Sequence, residues 1–195
     1  MDDLSGYSRR KFYLLISLLA LVSASLACQI EVGGPDAPGA AIPTMEGAQV
    51  QLSTIWDQAL ESALSTGQVF VILNESQLTT FLASKMAESD EPALLAPQVY
   101  LRQETLQIYG IVDQGPFLAN ALLIVKPTID ADGQIAFELT EADIGPLPIP
   151  GALKDTISAI LTEAFTGAIG SLATGIRITS IAIADGEMAI VGELR

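Results

Sequence analysis

The chain contains no histidine and a single cysteine, Cys28, among its 195 residues. Without histidine it cannot form a Ser-His-Asp or Cys-His catalytic set or an ordinary zinc site. Without a second cysteine it cannot form an intramolecular disulfide, so burial of apolar side chains must provide its stability. We therefore expect a protein that is not an enzyme and that uses no metal or other cofactor.

Basic residues are also scarce. Nine Lys and Arg stand against 23 Asp and Glu, which gives a net charge of −14. Nucleic acids and anionic lipid surfaces both favour basic patches on the proteins that bind them. The composition therefore argues against a nucleic-acid partner and against electrostatic docking on an anionic membrane.

Residues 1–27 have the composition of a secretory signal peptide. Three consecutive basic residues at 9–11 precede an uncharged apolar segment, residues 12–27, which ends in small residues. An uncleaved membrane anchor is the alternative, although a spanning helix needs roughly 20 apolar residues. Cleavage after Ala27 would remove three of the nine basic and two of the 23 acidic residues, so the mature chain would carry a net charge of −15.

The sequence Ala-Ser-Leu-Ala-Cys at 24–28 resembles the lipobox of bacterial lipoproteins. In that motif the signal peptide is removed before the cysteine, whose sulfur carries a diacylglyceryl group. The resemblance implies a lipid anchor at Cys28 and an extracytoplasmic location at the cell membrane. The alternative is a cysteine without a role at the end of an apolar segment.

The rest of the chain divides into a tether and one domain. Residues 28–47 are rich in Gly, Pro and Ala, which predicts a flexible tether, and the lipobox resemblance implies that this tether is lipidated at Cys28. Residues 48–195 have the length and apolar content of a single domain.

The stretch 150–174 predicts a long amphipathic helix of about 25 residues, because its apolar residues recur at steps of three and four. Prolines between 146 and 150 favour a helix start there, and Gly175 favours its end. The apolar face includes Leu153, Ile157, Ile160, Leu161, Phe165 and Ile169.

Two shorter helices are predicted before it, at 50–64 and after Asn74, whose side chain can form a capping box with Gln77. Strands are predicted at 69–73, 99–102, 106–112, 117–129, 134–142, 176–184 and 187–194, with a β-bulge at 179–180. The fold class is therefore α+β. We expect a curved antiparallel sheet, made of a meander and the C-terminal hairpin, wrapped around the long helix.

The strand at 117–129 is apolar on both faces. Its odd-numbered face, with Phe117, Leu123 and Val125, is uninterrupted, whereas Asn120 and Lys126 interrupt the even-numbered face. We therefore expect the odd-numbered face to be the inner wall. Either helices cover both faces of a central strand, or one face lines a lipid groove.

The order of these elements, with Asn-Glu-Ser-Gln-Leu-Thr-Thr-Phe-Leu at 74–82 and Gly-Pro-Leu-Pro-Ile-Pro at 145–150, resembles the LmeA-like phospholipid-binding family of bacterial envelope proteins. The resemblance covers residues 69–195. That family is similar to the tubular lipid-binding (TULIP) proteins, in which acyl chains lie between a curved sheet and a long helix.

The resemblance implies that the chain binds a phospholipid or similar amphiphile, for transfer or presentation, in an apolar groove between sheet and long helix. The alternative is a non-enzymatic extracytoplasmic interaction or scaffold domain whose core is filled. The candidate lipid-binding residues are Phe117, Leu123, Val125, Leu153, Ile157, Ile160, Leu161, Phe165 and Ile169.

Overall fold

A computed structural model describes Ile16 and residues 30–44, 48–90, 92–149, 151–167, 175–184 and 186–194, without the side chains of 48–53, 152 and 163–167. This part of the chain forms three helices and eight strands in two sheets. The predicted α+β class is confirmed.

The helices and strands follow one another in a simple order. They are β1 (Ile30–Glu31), α1 (Ala48–Thr66), β2 (Gln68–Asn74), α2 (Glu75–Ala87), β3 (Leu95–Arg102), β4 (Thr105–Gln114), β5 (Phe117–Ile129), β6 (Ile135–Asp143), α3 (Gly151–Gly167), β7 (Ile176–Ala184) and β8 (Glu187–Leu194).

The first sheet is curled and contains β1, β3, β4, β5 and β6. Short turns join β3 to β4, β4 to β5 and β5 to β6, so these four strands form the expected antiparallel meander. Strand β1 runs parallel to β5, with Ile30 opposite Phe117. The prediction of a purely antiparallel sheet is therefore wrong at this edge.

The second sheet has the strand order β2-β8-β7. The C-terminal hairpin thus pairs with β2 and does not extend the meander, which corrects the prediction of a single sheet. The predicted bulge is confirmed as a register shift between Ile178 and Ser180. The N–H of Ile178 donates to the carbonyl of Gly133, 2.8 Å away, and so joins the hairpin to the first sheet.

Helix α2 begins where the capping box predicted. The Gln77 N–H donates to the Asn74 side chain at 2.9 Å, and the Asn74 N–H donates to the Gln77 side chain at 2.8 Å. These bonds satisfy two backbone donors that have no partner within the helix.

Helix α3 has 17 residues, Gly151–Gly167, where the sequence predicted about 25. Residues 168–174 of the prediction lie outside the described part. Its backbone approaches β6 and α2. Its buried residues belong to the same apolar core as the inner faces of both sheets. A sheet wrapped around this helix stays a prediction.

Residues 30–44, which we call the strap, differ from the flexible tether expected for 28–47. The N–H groups of Ile30 and Val32 donate to the carbonyls of Pro116 and Leu118, at 2.8 and 2.9 Å. The N–H of Asn120 donates to the carbonyl of Gly33 at 2.9 Å. The start of the strap therefore occupies the edge of β5 beyond the end of β6.

The strap then crosses β3 and reaches α2. The N–H of Ile42 donates to the Gln98 side chain at 2.5 Å, and the Ser76 hydroxyl donates to the carbonyl of Pro43 at 2.5 Å. Most strap side chains are exposed, with Val32, Pro35 and Ile42 half-buried. Backbone contacts therefore hold the strap more than apolar burial does. The boundaries 1–27, 28–47 and 48–195 stay predictions.

Candidate functional site

The odd-numbered face of β5 is the inner face. Leu123 and Val125 have no accessible surface. On the other face Leu122 and Ile124 are half-buried and Lys126 is exposed. Phe117 and Ile129 are exceptions on the odd-numbered face, because they lie at the two strand ends and are 38% and 37% exposed. The expected facing of this strand is therefore correct for residues 119–125.

Three of the candidate residues on α3 are buried. Leu153, Ile157 and Leu161 project into the apolar core, with exposures of 0–2%. Their spacing of four residues is the one that places side chains on one helix face. Ile160, one position before Leu161, is half-buried and packs against the edge of the core.

The remaining candidates cannot be placed against this core. Ile169 and the proposed lipidation site Cys28 lie outside the described residues, as does the side chain of Phe165. The structure therefore places the candidates on the inner wall of β5 and those on the first half of α3 in one apolar core cluster.

Zero accessibility at this site has a direct physical meaning. A side chain that no water-sized sphere can touch borders neither solvent nor a cavity that holds a water molecule. Leu123, Val125 and Ile157 meet this condition. At these three positions other protein atoms fill the space beside the candidate residues.

Two clefts lined by described residues have none of these candidates in their walls. One of about 240 Å³ lies between β7 and the ends of the first sheet, lined in part by Glu104, Lys126 and Ile183. Another, of about 160 Å³, lies under the strap beside Tyr109 and Ile111. Each is smaller than the roughly 300–1,000 Å³ of typical small-molecule sites.

A polar cluster joins α2 to β3. The carboxylate of Glu75 accepts hydrogen bonds from the Leu101 N–H, at 2.9 Å, and from the Arg102 guanidinium. Tyr100 packs edge-on against Tyr109 with ring centroids 5.5 Å apart. Burial, reinforced by the negative charge of Glu75, raises the pKa of the Tyr100 hydroxyl. The sequence analysis did not single out these residues.

This cluster has a structural role that its bonds explain. Glu75 opens α2, so its bonds to β3 fix the start of that helix against the first sheet. The N–H of Glu75 also donates to the carbonyl of Gly186, 3.2 Å away in the turn between β7 and β8. One residue therefore connects the meander, the helix and the C-terminal hairpin.

Two negative findings apply to the described ranges. They contain no group of three or more His, Cys, Asp or Glu residues that could hold a metal ion. None of the helices within them is long and apolar enough to cross a membrane.

Two comparisons with known proteins were also negative. The chain matches no protein-family model, and no curated protein sequence is significantly similar to it. The relation to LmeA-like proteins accordingly stays a prediction from the motifs.

Proposed function

We propose that this chain is a bacterial envelope lipoprotein, anchored at Cys28, whose domain binds a phospholipid or similar amphiphile between the curled sheet and α3. It needs no catalytic group for this role. Transfer of apolar surface out of water provides about 25 cal/mol per Å², so acyl chains supply the affinity by burial alone.

The observation that carries the proposal is the shared core of helix and sheet. The apolar stripe of α3, with Leu153, Ile157 and Leu161, and the inner face of β5 belong to one continuous apolar cluster. An amphiphile that separated the helix from the sheet would meet apolar side chains on both sides. That environment suits an acyl chain and excludes a polar ligand.

Binding requires α3 to move, because Leu123 and Ile157 have no accessible surface in the closed arrangement. The loop before the helix, Gly145–Ile149, contains two prolines, and Gly145 adopts a positive φ of 56°. The half-buried Ile160 lies at the margin of the closed site. In this proposal the helix pivots away from the sheet, and a lipid chain replaces the contacts that the helix loses.

Photocrosslinking of the full chain tests this directly. A benzophenone amino acid that replaces Ile160 would lie at the edge of the proposed groove. The control carries the same amino acid in place of Ile72, which is 44% exposed on the outer face of β2. After irradiation in phosphatidylcholine vesicles, we expect a lipid-mass adduct at position 160 and little at position 72.

Equal adducts at the two positions, or no adduct at position 160, would contradict the groove. Circular dichroism of both variants checks that the fold is retained. Retention of the protein by membranes is scored separately, because it reports on the Cys28 anchor and not on the groove.

The second candidate function is an interaction or scaffold domain with a filled core. The zero accessibility of Leu123, Val125 and Ile157 favours it, because a filled core needs no ligand. It predicts that the domain gains no thermal stability from added phospholipid, whereas a ligand that binds the folded state raises the melting temperature.

A further inference from the structure

Three exposed apolar residues lie at one end of the first sheet. Ile30 is 53% exposed, Phe117 is 38% exposed and Ile149 is 49% exposed. We call these three residues the apolar tip. Each comes from a different part of the chain, so the tip is produced by the fold and not by a local apolar run.

Hydrogen bonds and strand pairing bring the three residues together. Ile30 is paired with Phe117 through β1 and β5. Gln114, which is opposite Phe117 in the β4–β5 hairpin, donates from its side-chain amide to the carbonyl of Pro148 at 2.9 Å. Ile149 follows Pro148 directly and is therefore held at the same end.

Close packing of two glycines supports this placement. A Cβ on Gly145 would lie 2.9 Å from the Cα of Gly34, so the loop that carries Ile149 runs against the strap. A side chain on Gly145 would force the loop and the strap apart, and a Cβ on Gly34 would overlap the Asn120 carbonyl of β5. The contact between the strap and this loop therefore holds the two segments that carry Ile30 and Ile149 against each other.

The chain itself indicates what covers the tip. Cys28 precedes Ile30 by two residues, which span at most about 7 Å when fully extended. Residues 12–27, which precede it, are uncharged and apolar. Either a lipid on Cys28 or an uncleaved apolar segment would hold a bilayer next to the tip.

We propose that the apolar tip inserts into the surface of the lipid bilayer and fixes the orientation of the domain on the membrane. This inference rests on the membrane attachment in the proposed function. The acidic residues Glu31 and Asp113 lie beside the tip, and Glu31 itself is exposed. Insertion is therefore driven by apolar burial and needs no anionic lipid, unlike docking by basic patches.

The strength of this contact can be worked from Phe117. A phenylalanine side chain has about 150–250 Å² of surface, so 38% exposure leaves roughly 75 Å² for the bilayer to cover. At about 25 cal/mol per Å², the loss of this surface shifts the equilibrium between docked and undocked domain on the order of twentyfold. A serine at position 117 should therefore release the tip.

Strand β5 offers a matched control at its other end. Ile129 is 37% exposed, almost the same as Phe117, and lies 12 residues further along the strand. At about 3.3 Å per residue the two positions are separated by up to about 40 Å of strand. A bilayer that covers the tip cannot also cover Ile129 if the domain is held upright on it.

The experiment uses the full chain in phosphatidylcholine proteoliposomes that contain a nitroxide-bearing lipid. An environment-sensitive fluorophore is attached to Glu31→Cys, which is exposed beside the tip and leaves its three residues in place, or to Ile129→Cys, and the parent chain controls for labelling of Cys28. We expect the lipid nitroxide to quench the label at 31 strongly and the label at 129 weakly. A second pair, Phe117→Ser and Phe70→Ser with the label at Glu31→Cys, should show loss of quenching only for Phe117→Ser.

Two readings separate this proposal from the membrane attachment on which it rests. Retention of the parent chain by the vesicles reports the attachment, and the ratio of quenching at 31 and 129 reports the tip. If the vesicles retain the parent chain but the two labels are quenched equally, docking by the tip is overturned and the membrane attachment is not. Failure of the parent to remain with the vesicles overturns the membrane attachment and, with it, docking by the tip, whereas the groove is tested separately by photocrosslinking.

Discussion

Replacing Leu123 by alanine tests whether the space inside the curled sheet is filled. Leu123 has no accessible surface and is paired with Ile108 on β4 and Ala142 on β6. Truncating leucine in a filled core costs about 2–5 kcal/mol, because the residual cavity adds to the lost transfer energy. Since 1 kcal/mol shifts the melting temperature of a domain this size by about 2–4 °C, we expect a decrease of roughly 10 °C.

Leu122→Ala is the matched control, because it removes the same atoms from the neighbouring position on the opposite, half-buried face. Its cost should be about half as large or less. Urea unfolding can be followed through Trp56, the sole tryptophan, which is 2% exposed and should report loss of the core. A loss below about 1 kcal/mol for Leu123→Ala, with unchanged denaturant sensitivity, would refute the filled core.

Three further predictions follow from particular residues. Cys28→Ser should move the protein from the membrane fraction to the soluble fraction, and full retention would instead favour an uncleaved apolar anchor. Gly110→Ala should cost about 1–3 kcal/mol in urea unfolding, because its Cβ would lie 2.6 Å from the Leu94 Cγ, while Gly151→Ala, with open space around it, should not destabilise. Burial raises the pKa of the Tyr100 hydroxyl above 10.0 in the folded state. The contribution of this neutral hydroxyl to stability should therefore be complete below pH 10 and lost as the pH rises through the folded-state pKa. Tyr100→Phe should reduce the fall of the urea midpoint at alkaline pH.

Local signals in the sequence predicted most of the individual elements. The capping box at Asn74 placed the start of α2, because its two hydrogen bonds join residues only three apart. The change of apolar phase between Ile178 and Ile181 located the bulge in β7 for a similar reason. In both cases the determining interaction leaves a pattern in the residue types.

The strap left no such pattern, because its main contacts are backbone hydrogen bonds between residues far apart in sequence. The carbonyl of Gly33 accepts from Asn120 regardless of side-chain type. One trace is Gly34, where a Cβ would overlap the Asn120 carbonyl. A glycine-rich stretch satisfies that requirement and also predicts a flexible tether, so composition cannot separate the two.

Local sequence patterns also could not predict that the strands divide into two sheets. An edge strand such as β7 shows the same alternation whether its hairpin joins the meander or β2. The pairing of Phe70 with Val191 joins strands far apart in the sequence, so no local pattern specifies it. The inner face of β5 could be predicted because Asn120 and Lys126 mark its outer face. The inner face alone could not reveal whether the space it borders is filled.

The apolar tip and the start of α3 lie at the same end of the domain, which bears on how an amphiphile would reach the proposed groove. Helix α3 begins at Gly151, two residues after Ile149 of the tip. A lipid that entered there would pass from bilayer to protein without exposing its acyl chains to water. Such exposure costs about 0.8 kcal/mol per CH₂.

Uptake of a fluorescent phospholipid by the full chain should therefore become faster as the concentration of donor vesicles rises. Phe117→Ser should slow uptake without changing its final extent, while Phe70→Ser, which removes a 57% exposed phenylalanine from β2, should leave the rate unchanged. An uptake rate independent of vesicle concentration would mean that the lipid arrives through water, and the position of the tip would then have no part in loading.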